Sequence, residues 1–464
     1  MSQQPRVIVI GSGLAGLAAA RELRDNGVVP ILLEARDRVG GRVHSISFGE
    51  GSVINIGASL LMHGTGSPMS DLAQQADVQL ARLADMPFVP GPGEAPMTVE
   101  DSDALSTLLE EGFAAIFDHE ESGQALGPPL LRWLDKTAAE RGLDSELLHC
   151  IADYITMYNG DELSKLARRQ GFDEPDTGNE AGEAPIGGFV KILSKLAGVE
   201  TLQSVRLGHV VTHIDYSAPV VRVRTREHGE FLADAALITV PLGVLKASTI
   251  SFHPPLSPAR QLAIQQLGYG RLTMVALEFA NAKEPFWPAS GTFCLLRKPS
   301  LAKTQPEIAH DLINRDSLFF INYQQVTGKP VLVACVQCTE GESLEEKTEE
   351  EVANIFGRHL ARYFPNAPGT QPTRCTVGRW SQDPFSRGSY SFLGADTNEK
   401  NFAVLAAPCA AINGAEHVSS PIAVHPATLF WAGEHTIRDM HGSLDGAVLS
   451  GQRAATEVLT RFRV

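Results

Sequence analysis

Val7-Ile8-Val9-Ile10-Gly11-Ser12-Gly13-Leu14-Ala15-Gly16 is the stretch on which the reading of this chain turns. Four apolar residues in a row suit a parallel strand buried on both faces, and the glycines follow without a gap. Leu17 to Asn26, rich in Ala, Leu, Arg and Glu, reads as a helix closed by Gly27 in a left-handed cap. Ile31-Leu32-Leu33 then makes a second apolar strand ending at Glu34. The three glycines meet different steric demands. Gly11 permits a tight turn, Gly13 lets the main chain approach a pyrophosphate, and Gly16 lets the helix pack closely on the sheet. The helix N-terminus faces the phosphates, and Glu34 lies where an acid can accept hydrogen bonds from a ribose diol. Strand, glycine turn, helix, strand and acid together predict a dinucleotide-binding α/β unit. On its own this unit leaves NAD and FAD open.

Around it lie 464 residues, long enough for two or three domains with buried cores. With 54 Asp+Glu against 39 Lys+Arg the formal charge is −15, which argues against nucleic-acid or anionic-membrane partners and mildly favours cationic ones. No stretch approaches the roughly 18 uncharged apolar residues of a membrane helix. Met1 to Arg6 carries no signal-peptide pattern and Arg461-Phe462-Arg463-Val464 is not a peroxisomal address, so a cytoplasmic location is expected. Cys150, Cys294, Cys335, Cys338, Cys375 and Cys409 are scattered and form no disulfide framework. Cys335 and Cys338 have redox or zinc spacing, but they fall in a strand-like run with no second pair, and read as core or edge thiols. No metal site is expected.

Ala35-Arg36-Asp37-Arg38-Val39-Gly40-Gly41-Arg42 continues directly from Glu34. This string resembles the extension found in FAD enzymes of the flavin-containing amine oxidase superfamily, where the glycine doublet and its arginine wrap the diphosphate and ribitol. Further marks are similar to that family: Gly57-Ala58-Ser59, Val210, Thr239-Val240-Pro241-Leu242-Gly243, Trp380 to Tyr390, Phe430-Trp431-Ala432-Gly433-Glu434, and Gly442-Ser443-Leu444 at the start of a last helix. That helix has a 3.6-period apolar face through Val448, Ala455, Val458 and Leu459. The resemblance implies FAD, not covalently attached, against Gly11, Gly13, Leu14, Ala15, Gly16, Glu34, Ala35, Arg36, Gly41, Arg42, Gly57, Ala58, Ser59, Leu60, Val210, Thr239, Trp380, Gly433, Glu434, Gly442, Ser443, Leu444 and Ala447. It also implies a fold: an α/β, Rossmann-like FAD-binding domain of about residues 1–70, 190–260 and 410–464, interleaved with an α+β substrate-binding domain of 71–189 and 261–409. In the latter, Asp101 to Arg169 reads as mostly helical, Val331 to Val336 as a strand, and the acidic Gly171 to Gly188 as a loop.

The chemistry implied is oxidation of an amine by hydride transfer to flavin, imine hydrolysis, and reoxidation by dioxygen to hydrogen peroxide. Aromatic walls exclude water and hold an amine by their faces, and Trp380 and Tyr390 match such walls. Ser389 stands where monoamine oxidases carry the cysteine bonded to flavin, which is why covalent attachment is not expected. Ser443 replaces a cage tyrosine of monoamine oxidases. His63 before Gly64 resembles the active-site histidine of polyamine oxidases, though it lies one residue further from Gly57-Ala58 than usual, and a surface-loop histidine is the competing reading. Met274 stands where most amine oxidases place a lysine that holds a water against the flavin. Since Met274 cannot donate a hydrogen bond, either Arg271 or another group substitutes, or dioxygen reactivity falls, or another acceptor is used. The expected catalytic set is thus Met274, His63, Trp380, Tyr390 and Ser443, acting on a polyamine with dioxygen. The alternatives are oxidation of a primary amine or amino acid on the same scaffold, or a flavin-binding protein with little turnover kept for partner binding.

Overall fold

The computed structural model describes residues 4–49, 51–116, 125–168, 182–280, 285–298, 317–412, 415–418 and 428–462. One sheet is built on the first strand, Val7–Ile10, which pairs in parallel with Ile31–Leu33 on one side and Ala235–Ile238 on the other. Thr428–Trp431 continues the parallel array, and Cys409–Ile412 and Ala415–Val418 close it antiparallel. The strands Val7–Ile10, Ala235–Ile238 and Thr428–Trp431 are buried throughout because both faces are covered, which explains their unbroken apolar runs.

One face carries the glycine-turn helix Leu14–Asp25, the last helix Leu444–Phe462, and Val190–Ala197. The first two approach so closely that a Cβ on Gly451 would lie 2.2 Å from the Ala15 carbonyl oxygen. The other face carries a four-stranded sheet ordered Glu230–Ala233, Val221–Thr225, Val211–Asp215, Ser251–His253, with helices Pro258–Gln266 and Lys400–Ala406 sharing its core. The glycine-turn helix begins at Leu14, three residues before the expected start, because Gly13 is already its N-cap.

A second six-stranded sheet runs Arg374–Val377, Leu272–Glu278, Val331–Gln337, Leu318–Asn322, Thr292–Leu295, Phe88–Val89, antiparallel except for its last pair. Strand alternation sorts its side chains. Val275, Leu277, Phe320 and Val336 pack under helix Glu349–Tyr363, while Met274, Ala276, Phe319, Ile321 and Cys335 face the opposite way. Helices Val99–Ile116, Gly127–Arg141 and Ser145–Asn159 occupy the segment read as helical. Of the expected acidic loop, 171–181 lies outside the described residues. Glu183–Pro185 is a short strand paired with Leu80–Arg82, so the loop reading ends before it. No helix among the described residues is long and apolar enough to cross a membrane.

Candidate active site

The glycine turn is held by backbone geometry. Gly11 has φ +104, its amide donates to the Leu33 carbonyl, and a Cβ there would stand 2.6 Å from Thr239 Oγ1. That hydroxyl in turn donates to the Ile10 carbonyl at 2.8 Å. A Cβ on Gly16 would lie 2.0 Å from the Gly11 carbonyl oxygen, so this glycine serves packing of the helix on its own turn. Gly13 differs: a Cβ there would meet nothing nearer than the Gly41 Cα, at 3.9 Å. The second glycine pair lies across the turn, with the Gly40 amide donating to the Ser12 carbonyl at 2.9 Å.

Glu34 ends the second strand 3% exposed, accepting from the Ser12 amide and hydroxyl through one oxygen and the Arg36 amide through the other. Ser12 is absent from the expected site residues because it occupies the variable middle of the glycine motif. Arg36 is tied to Asp383 at 2.8 Å. Arg42 donates to the Ser389 carbonyl at 2.6 Å and to Glu434 at 2.8 Å. Glu434 also accepts from the Gly442 amide and from the amide and hydroxyl of Ser391. Burial alone would raise the Glu434 pKa, but Arg42, His435 and these donors outweigh it and bring the group down to about 2.

These groups border one cavity of about 760 Å³ between the parallel sheet and the second sheet. It takes in every residue expected to bind cofactor or substrate except Gly16. Met274, Phe319, Ile321 and Cys335 form its wall from the second sheet. Trp380 closes another side, its indole N–H donating to the Ile56 carbonyl at 2.7 Å, with Tyr390 also on the lining. Ser106, Leu109, Glu110 and Phe113 add one face of helix Val99–Ile116, a contribution that spacing of three and four residues makes visible only once the helix is placed. Ser443 caps the last helix, its hydroxyl accepting from the Gly446 amide and donating to the Met440 carbonyl.

Two expectations are decided by contacts. His63 is no surface-loop residue: it is 5% exposed, borders the cavity, and its Nδ1 lies 2.9 Å from Asp445 Oδ2. Arg271 does not take the place of the missing lysine. Asp161 and Glu342 hold its guanidinium, at 3.3 and 2.7 Å, and it does not border the cavity. Cys335 is on the wall, but burial pushes its thiol up to about 12, so it is present as an inert apolar group. Cys338 begins the next helix, at φ +57.

An extended dinucleotide fits these residues. The amides of the Leu14–Asp25 helix start without a side-chain cap or a first-turn acid, as an anion site requires, and Gly13 leaves open space above them. Ser389 Oγ, buried on the cavity wall, has no hydrogen-bond partner among the described residues.

Comparison with known proteins agrees. The family model described as "Flavin containing amine oxidoreductase" matches residues 14–459. The chain is 30% identical to "Polyamine oxidase 4" of Oryza sativa subsp. japonica, covering 99% of this chain and 89% of that protein. It is 28% identical to "Probable polyamine oxidase 4" of Arabidopsis thaliana, over 97% of this chain and 86% of that one. It is 32% identical to "Lysine-specific histone demethylase 1 homolog 2" of Arabidopsis thaliana over 98% of this chain, though it spans only 58% of that longer protein.

Proposed function

Because the chain belongs to the flavin-containing amine oxidoreductase family, with FAD as cofactor, we propose that it oxidises a polyamine: spermine, spermidine or an acetylated derivative. The observation that carries this reading is the state of the acids on the cavity wall. Glu34 is engaged by Ser12 and Arg36, Glu434 by Arg42, and Asp445 by His63. Glu110, exposed at the rim, has no ion pair among the described residues. A substrate with an amine at the reacting end and a second ammonium further along would meet apolar and aromatic walls first and a carboxylate beyond them. Such an arrangement selects for polycations, and the net charge of −15 adds a long-range attraction.

Flavin, held by the glycine turn, Glu34, Arg42 and Glu434, would supply the redox chemistry as acceptor of a hydride from the carbon beside the amine nitrogen. The chain's own residues arrange the rest. Trp380, Tyr390, Phe319, Ile321 and Met274 keep water from the reacting carbon, and the Arg42–Glu434 pair ties the Ser389–Ser391 segment to the glycine-doublet segment and to the approach to the last helix. The products would be an aldehyde and a shortened amine, from addition of water to the imine, and hydrogen peroxide, from dioxygen as the two-electron acceptor. We read the parallel sheet as the FAD-binding domain drawn from about 1–70, 190–260 and 410–464, and the second sheet with its helices as the substrate-binding domain. Strand membership of the two sheets supports this division.

A second reading, demethylation of a methylated lysine in a peptide, is favoured by the 32% identity to the demethylase homologue, since such a lysine is also a secondary or tertiary amine on an aliphatic chain. Anaerobic mixing of the yellow holoprotein with spermine, spermidine, their acetyl derivatives, monoamines, amino acids and a methyl-lysine histone-tail peptide separates these. Bleaching by polyamines is expected. Bleaching by the peptide alone supports the second reading, by monoamines or amino acids alone overturns both, and by none of them points to a flavin-binding protein with little turnover.

A further inference from the structure

Asp445 stands in the first turn of the last helix, behind the Ser443 cap, and is 1% exposed. Its two oxygens have separate duties. Oδ1 accepts from the Met69 amide at 2.7 Å, in the first turn of the helix Pro68–Gln75, and Oδ2 lies 2.9 Å from His63 Nδ1. The N-terminal ends of two helices thus converge on one buried carboxylate, which is the placement that suits a negative charge. The His63 main chain is pinned as well, its carbonyl accepting from the hydroxyls of Ser67 and Ser70. With a carboxylate at Nδ1, that nitrogen carries the proton of the neutral ring, and Nε2 carries the acceptor lone pair.

We propose that Asp445 is a positioning residue for amine deprotonation: it sets His63 in the Nδ1–H form so that Nε2 accepts a proton from the incoming ammonium. The substrate's N–H bond breaks and an Nε2–H bond forms, leaving a neutral amine whose lone pair is available and an imidazolium paired with the Asp445 carboxylate. An amine must lose this proton before its neighbouring carbon can give up a hydride. The carboxylate both selects the tautomer and stabilises the charge that the ring gains. Asp445 itself reaches the reaction only through His63. The proposal rests on reading the cavity as an amine site, whatever the amine.

The test begins with the holoprotein labelled with ¹⁵N-histidine, the His63 signals being assigned by their loss in His63→Gln. Ring nitrogen shifts showing Nδ1 protonated and Nε2 bare are expected; a neutral Nε2–H ring overturns the proposal, and no substrate is needed to learn this. In Asp445→Asn, whose amide can donate to Nδ1, the ring is expected to change to Nε2–H. Anaerobic flavin reduction by whichever amine reduces the wild type is expected to slow on the order of 10²-fold in Asp445→Asn, the low end of general-base contributions. Asp445→Glu is expected to restore the tautomer and most of the rate. An unchanged reduction rate in Asp445→Asn, or a loss that persists in Asp445→Glu although its ring is Nδ1–H, overturns the assignment. If spermine and spermidine fail while another amine reduces the flavin, the polyamine reading falls and this one stands.

Discussion

Arg42 lies 2.8 Å from the Glu434 carboxylate, an ion pair between residues 392 apart that ties the glycine-doublet segment to the one leading into the last helix. Glu434 is held at about 2 against an ordinary 4.5, so its contribution is complete above about pH 4.5 and is lost as pH falls toward 2. We expect Glu434→Gln to destabilise the holoprotein at pH 7 by on the order of 3 kcal/mol. Denaturant titrations at pH 7 and pH 3 check this: the wild type should lose stability across that window and the variant should lose markedly less. Equal pH dependence would remove Glu434 from the account.

The two inner glycines of the turn should fail differently. Gly16→Ala would put a Cβ 2.0 Å from the Gly11 carbonyl oxygen, and we expect little folded protein. Gly13→Ala has no atom nearer than 3.9 Å to clash with, so it should fold and lose FAD, because the added methyl enters the space above the helix N-terminus. Circular dichroism with the flavin-to-protein absorbance ratio measures both; a flavin-replete Gly13→Ala protein would contradict the assignment.

Met274 sits on the cavity wall, directly across the ladder from Cys335, with Phe319 and Ile321 on the same face. With Arg271 committed elsewhere, this wall offers no cation and no strong hydrogen-bond donor among the described residues. We therefore expect slow reaction with dioxygen, and faster reoxidation of anaerobically reduced flavin in Met274→Lys when dioxygen is admitted. A variant no faster than the wild type would dismiss this position as the cause.

Glu110 borders the cavity without an ion pair among the described residues. Glu110→Gln should raise KM for spermine roughly 5- to 10-fold, the loss of about 1 kcal/mol from a rim charge pair, with kcat changed little. Its effect should shrink at high salt and vanish for a monoamine. An equal effect on monoamine and polyamine would mean that the residue only shapes the helix.

The dinucleotide unit is legible because its parts are local: strand, turn, helix and acid fall between Val7 and Glu34, and the positive φ of Gly11 and the contact of Gly16 with the Gly11 carbonyl need no distant partner, although Thr239 also crowds Gly11. The helix start at Leu14 is hidden because a glycine N-cap carries no side-chain signal. Where contacts are long-range, the sequence says less. Asp445 gives no sign of its role since its partner His63 lies 382 residues away, and the burial and pairing that separate His63 from an ordinary loop histidine exist only in the fold. Arg271 reads as available in the sequence, whereas Asp161 and Glu342 hold it in the fold. Leu109 and Glu110 fall in the stretch read only as mostly helical, and nothing local to Val99–Ile116 announces which face meets a cavity.

Gly451 lies against Ala15 so tightly that no side chain fits between the two helices. The ribosome makes Leu14–Asp25 well before Leu444–Phe462, so the Ala15 contact with Gly451 has to wait for the later helix, although Val190–Ala197 can join the same core earlier. The nascent chain thus carries an unfinished fold past every intermediate length, a hazard for aggregation that invites chaperone capture. Gly442, Ser443, Leu444 and Ala447 border the cavity together with Gly11 and Gly13, so the cavity is complete only after this closure, and the flavin-to-protein ratio is expected to report the closed fraction.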